Sequence, residues 1–114
     1  MKKLTEQQIQ NAILDYLNLC PGVYWRNNST GVYDPVKKCF RRTSKFHRNG
    51  IADILGIRSD GTFVAIEVKT EKGRLTDNQK SFLKDIEENN GVAFVARSIE
   101  DVRDRLFPEG RKGS

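Results

Sequence analysis

The chain has 114 residues, 37% apolar and 31% charged, with a formal net charge of +5. That length holds one modest core in a globular domain, and no apolar run reaches the roughly 20 residues needed to span a bilayer. Two cysteines outside any CxxC spacing, Cys20 and Cys39, and a lone histidine, His47, argue against zinc and read as free thiols in a reducing cytoplasm.

The N-terminal "MKKLTEQQ" has two lysines without an apolar stretch behind them, so no signal peptide is expected. Thr5 and Gln8 form a capping box, with Leu4 and Ile9 as its hydrophobic staple. Ile9, Ile13, Tyr16 and Leu17 then repeat at helical spacing until Pro21-Gly22 stops the run. "VYWRN" predicts a short strand, with Tyr24 and Trp25 read as core residues rather than base-stacking platforms. Ser29 to Phe46 is irregular and basic, a long loop or ragged hairpin of a length that is usually functional or mobile.

"IADILGI" and "TFVAIEVK" read as two strands joined through Ser59-Asp60-Gly61. A second capping box, Thr76 with Gln79, opens a helix through Phe82, Leu83 and Ile86 that Asn90-Gly91 closes. "VAFVAR" reads as a strand buried on both faces. Ser98 caps a last helix carrying Ile99, Val102, Leu106 and Phe107, ahead of Pro108. The domain is therefore placed at 1–108, with 109–114 as a disordered tail. The order α-β-β-β-α-β-α predicts an α/β fold: three antiparallel strands, then a fourth reached by a right-handed crossover and parallel to the third. The result is a mixed four-stranded sheet flanked by helices.

Charge is concentrated. Arg26, Lys37, Lys38, Arg41, Arg42, Lys45 and Arg48 face one acid, Asp34, so that segment carries +6 and the rest of the chain −1. This is the footprint of a polyanion ligand or, equally, of a solvated basic loop.

Three charged residues interrupt the two central strands. If Ser59-Asp60-Gly61 is a three-residue loop, paired residues sum to 120, and Asp53 falls opposite Glu67, with Lys69 one pleat further on the same face. Two facing carboxylates destabilise a sheet, and a divalent cation between them reverses the sign. Mg²⁺ favours oxygen donors and takes one or two carboxylates together with substrate phosphate. Lys69 beside it could orient or deprotonate a water and offset charge growing on phosphorus.

Asp53 followed by Glu67-Val68-Lys69 resembles the PD-(D/E)xK nuclease signature, and the stretch from "GIADILGI" to "SIEDV", with "GRLTDNQ" inside it, is similar to a VRR-NUC domain of the short standalone kind. The similarity runs from about Thr5 to Leu106. It implies a restriction-endonuclease-like fold in which Asp53 and Glu67 bind Mg²⁺ or Mn²⁺, the Val68 carbonyl can add a ligand, and Lys69 is the catalytic lysine. It implies that Glu6 reaches the metal directly or through water, and that Gln79 touches DNA or the active-site water. Glu6 is also a favourable helix N-terminal acid and Gln79 a capping partner, whatever else they do. Ala52 departs from the motif, standing where a proline is frequent.

The resemblance implies a DNA endonuclease for branched DNA such as four-way junctions, serving replication, recombination or repair in the cytoplasm of a bacterial or phage-infected cell. Lys37, Lys38, Arg41, Arg42, Lys45 and Arg48 would grip the DNA. One site per chain and two strands to cut imply a homodimer, with Val32, Val36 and Phe40 as part of its contact. The rival reading is a non-catalytic DNA-binding module that keeps the fold.

Overall fold

The computed structural model describes residues 3–27, 36 and 48–108, and the backbone of 32–34 and 39–41. Among these, the elements in chain order are α1 (Glu6–Leu17), β1 (Val23–Arg26), β2 (Val32–Asp34), β3 (Cys39–Arg41), β4 (Ile54–Ile57), β5 (Phe63–Val68), α2 (Asp77–Glu88), β6 (Val92–Ala96) and α3 (Ile99–Leu106). The main sheet has the order β1-β4-β5-β6, antiparallel across its first three strands and parallel between β5 and β6. This is the α/β fold with a mixed four-stranded sheet that the sequence predicts. β2 and β3 form a separate antiparallel hairpin inside the basic segment, pairing Val32 with Arg41 and Asp34 with Cys39. No helix among the described residues is long and apolar enough to cross a membrane. The proposed tail, 109–114, lies outside the described residues.

Local chemistry explains the boundaries. Both capping boxes are complete: the Thr5 and Thr76 hydroxyls accept the Gln8 and Gln79 backbone N–H groups, each glutamine returning a side-chain oxygen to the threonine N–H. Leu4 stays exposed, so at α1 the hydrogen bonds matter more than the staple. α2 ends with Asn90 in the left-handed region, while Gly91 N–H reaches the Ile86 carbonyl at 2.9 Å and Asn90 N–H that of Glu87 at 3.1 Å.

Side-chain alternation divides the core into two layers. Ile9, Ile13 and Leu17 of α1, with Val102 and Leu106 of α3, pack on Tyr24, Ile54, Val64, Ile66, Val68 and Phe94 of the sheet. The opposite layer sets Phe82 and Leu83 of α2 on Ala52, Ala65 and Ala93. Fully burying a large aliphatic side chain is worth about 1.5–3 kcal/mol, so the first layer supplies most of the stability. The thinner, alanine-lined α2 layer is where polar groups intrude at least cost to packing.

Two glycines fix close approaches. Gly56, opposite Tyr24, leaves the space its ring fills; a Cβ there would sit 2.2 Å from Tyr24 Cδ1. Gly50, at φ +79°, brings the chain ahead of β4 against the start of α2, where a Cβ would meet the Asn78 backbone at 2.5 Å. Gly50→Ala should therefore destabilise the chain by at least about 2 kcal/mol, combining left-handed strain with overpacking against backbone that cannot yield. Chemical denaturation of the two proteins measures this directly.

Candidate functional site

The β4–β5 register pairs Ile54 with Ile66 and Ile57 with Phe63, and Arg58 N–H donates to the Thr62 carbonyl at 2.9 Å. These numbers sum to 120, as the three-residue loop requires, and one step further places Asp53 opposite Glu67. The regular ladder would next deliver the Val68 N–H to the Ala52 carbonyl. Instead the chain bends at Asp53, whose own Oδ2 accepts the Val68 N–H at 2.9 Å. A side-chain oxygen thus replaces a backbone one, and the carboxyl is pinned over the strand end beside Glu67.

Glu67 is 2% exposed. Its Oε2 accepts from Gln79 Nε2 at 3.0 Å and stands 3.9 Å from Lys69 Nζ. Burial first, then hydrogen bonding to Asp53 and its negative charge, push the Glu67 carboxyl up from 4.5 to about 8. Lys69 opposes this shift and is outweighed; Glu6 adds a weak push in the same direction. At neutral pH Glu67 consequently keeps its proton.

Lys69 is itself buried, its stem running past Gly73, where an added Cβ would lie 3.3 Å from Lys69 Cβ and Cδ. The loop carrying Gly73 is clamped by Arg97 at the end of β6, whose Nη1 donates to the carbonyls of Thr70 at 2.5 Å and Gly73 at 2.9 Å. Parallel β5 and β6 finish on one edge, so Lys69 and Arg97 meet there, the end of an α/β sheet where sites gather.

The structure therefore brings together Asp53, Glu67, Lys69 and Gln79. In a strand, a residue's N–H and C=O face the same neighbour, which turns the Val68 carbonyl towards Asp53 as well. Glu6 is near enough for Glu67 to feel its charge, yet among the described residues no three His, Cys, Asp or Glu side chains converge as a cage for an ion. Two carboxylates and a carbonyl are hard oxygen donors in the number Mg²⁺ or Mn²⁺ accepts when water and phosphate complete the shell, so the donor set fits such a cation.

Arg48 is already engaged: its guanidinium pairs with Asp85 at 2.7 Å and lies 5.2 Å from the Phe82 ring centroid, which ties the basic segment to α2. Lys37, Lys38, Arg42 and Lys45 lie outside the described residues, and Arg41 is described by its backbone alone. The core reading holds for Tyr24 and is corrected for Trp25, which is 41% exposed. β1 is an edge strand, and α2 covers the sheet further in.

Arg97 was not legible from sequence as a neighbour of this site. The one available signal was that parallel strands end together, which would have put Arg97 beside Lys69.

The buried Glu67 with Asp53 and Lys69, at the strand ends of a mixed sheet flanked by helices, is the arrangement of an α/β domain of nuclease type. Residues 2–100 match the VRR-NUC domain family, and the chain belongs to that family. A solved structure described as a VRR_NUC domain protein superposes with a TM-score of 0.62 over 89% of this chain and 84% of its own, at 16% identity, and so shares the fold. No curated protein matches the chain in sequence.

The raised Glu67 carboxyl has a testable consequence. The folded chain retains up to about pH 8 a proton that the unfolded chain loses near 4.5, so this group's contribution to stability is greatest in acid and declines as pH rises through that window. In metal-free buffer the melting temperature should fall between about pH 5 and about pH 9, and Glu67→Gln should flatten the decline and melt above wild type at the alkaline end. Asp53→Asn, which relieves the same repulsion, should add about 0.2–1 kcal/mol. Calorimetric scans across pH measure all three; variants melting below wild type throughout would make the acids structural.

Proposed function

We propose that this chain is a Mg²⁺- or Mn²⁺-dependent DNA endonuclease acting on branched, especially four-way, DNA. The observation that carries the reading is the buried Glu67 set against Asp53, a costly arrangement in a small sheet that a hard cation would turn to advantage. When bound, such a cation supplies Lewis-acid charge to a phosphoryl oxygen and acidifies water. Asp53, Glu67 and the Val68 carbonyl would hold it, with Glu6 reaching it through water.

The remaining steps fall to the chain's own groups. Lys69, buried and 3.9 Å from Glu67, orients or deprotonates the attacking water and offsets charge gathering on phosphorus. Gln79, held by its cap bond to the Thr76 N–H, keeps Glu67 in place and presents its amide to DNA or water. The basic segment supplies the grip on the phosphate backbone. Lys3, Lys72 and Arg97 line a groove between the start of α1 and the loop after Lys69, adding positive charge on a second flank. A retired, binding-only domain would gain stability by replacing the buried Glu67, which disfavours that alternative.

A junction has two strands to cut symmetrically, and a homodimer would place one site on each. Val36, 87% exposed at the β2–β3 hairpin, supports that hairpin as part of the contact, together with Val32 and Phe40 on its strands. Sedimentation on junction DNA should show two chains per junction; a monomer there would favour a flap- or end-directed nuclease.

Cleavage of linear, flapped and four-way DNA should require Mg²⁺ or Mn²⁺ and stop in EDTA. Lys69→Ala should lose at least ~10²-fold in rate while keeping its cation affinity. Near-normal turnover would leave the lysine without a chemical role. Neutralising Arg41 and Arg42 together should weaken binding to all DNA sequences and lower the log–log salt slope by about 1–2.

A further inference from the structure

Asn27 follows β1 directly, and its backbone N–H donates to the Asp53 carbonyl at 2.7 Å. β1 and β4 pair with residue numbers summing to 80, so Asn27 is the cross-strand neighbour of Asp53, as Asp53 is of Glu67. Three polar residues from three strands thus form one row. Tyr24 and Arg26 face α1, Arg26 donating to Gln10 Oε1 at 2.5 Å and to Asn11 Oδ1, so alternation turns Asn27 to the face shared with Trp25. The same Arg26 bonds anchor the end of β1 to α1 and hold Asn27 in position.

The side-chain nitrogen of Asn27 is shielded from water and has no hydrogen-bond partner among the described residues. Buried donors are almost always bonded, so an unmatched one calls for an account. Asp53 Oδ2 accepts the Val68 N–H, which leaves that carboxyl with further lone pairs, and directly opposed cross-strand residues stand about 4.5–5.5 Å apart at Cβ. At that separation a turn about the Asn27 side-chain torsions is enough to bring its amide towards the Asp53 carboxyl. Carboxylates that hold a cation are characteristically held in turn by outer donors.

We infer that Asn27 is a positioning residue for Asp53, its amide nitrogen donating to the Asp53 carboxylate when that carboxylate holds the cation. This rests on the metal-dependent reading of the site. It assigns a role to the "WRN" end of β1, which neither the acid-acid-lysine set nor the basic segment uses.

The test is calorimetric titration of the full chain with Mn²⁺ alone, beside thermal melting in metal-free buffer, for wild type, Asn27→Ala and the near-isosteric Asn27→Leu. The variants should bind Mn²⁺ about 10-fold more weakly or worse. They should melt at or above the wild-type temperature without metal, because the amide they lose has no bond there. A purely structural asparagine would give the reverse: lowered melting and unchanged Mn²⁺ affinity. Either a metal-free melting loss in both variants or a Mn²⁺ affinity equal to wild type overturns the inference while leaving the nuclease reading intact. A wild-type chain that binds no Mn²⁺ overturns both.

Discussion

Glu67 and Asp53 are driven together by the pairing of β4 with β5, which cannot slip by one residue without turning Ile54, Val64 and Ile66 out of the core. The hydrophobic pattern that stabilises the sheet therefore also enforces a repulsion between two carboxyls. The chain answers with a proton retained on Glu67, the Val68 N–H on Asp53 and the Gln79 amide on Glu67. Each answer draws a neighbouring element into the site: the far end of β5 through Val68, and the first turn of α2 through Gln79.

The two-layer core makes this arrangement tolerable. Aliphatic residues concentrate between the sheet and α1 with α3, whereas the α2 layer rests on alanines. A buried acid in the first layer would displace large side chains; in the second it finds Gln79 of α2 as a hydrogen-bond partner. Gly50 completes the geometry by letting the chain ahead of β4 touch the start of α2, which brings Asp53 and Gln79 to the same corner.

The parts of this fold legible in the sequence were those governed by short-range rules. Capping boxes, the three-residue loop and the apolar runs gave the elements, and arithmetic on the loop gave the Asp53–Glu67 register. The bend that lets Asp53 replace a backbone acceptor is a tertiary compromise and leaves no composition signal. Gln79 shows the same boundary: its sequence spacing explains the cap completely, while its second bond, to Glu67, exists only because α2 packs over β5. Arg48 looked like a free cation in a basic run, and only the position of α2 reveals Asp85 and Phe82 as its partners. Trp25 was misjudged because the sequence does not say which strand lies at the edge.

Charge accounting around the site links the resting arrangement to the proposed working one. With its proton retained, Glu67 adds no charge to the site, the cheapest state for a carboxyl so deeply buried. Loss of that proton leaves a buried negative charge, which the surroundings of Glu67 resist. A divalent cation held by Asp53 and Glu67 would offset that charge in the proton's place. Proton and cation would thus be alternative answers to the same buried carboxylate. Lys69, 3.9 Å from Glu67, eases the cost of that charge in either case, which gives its own burial beside Glu67 an electrostatic reason.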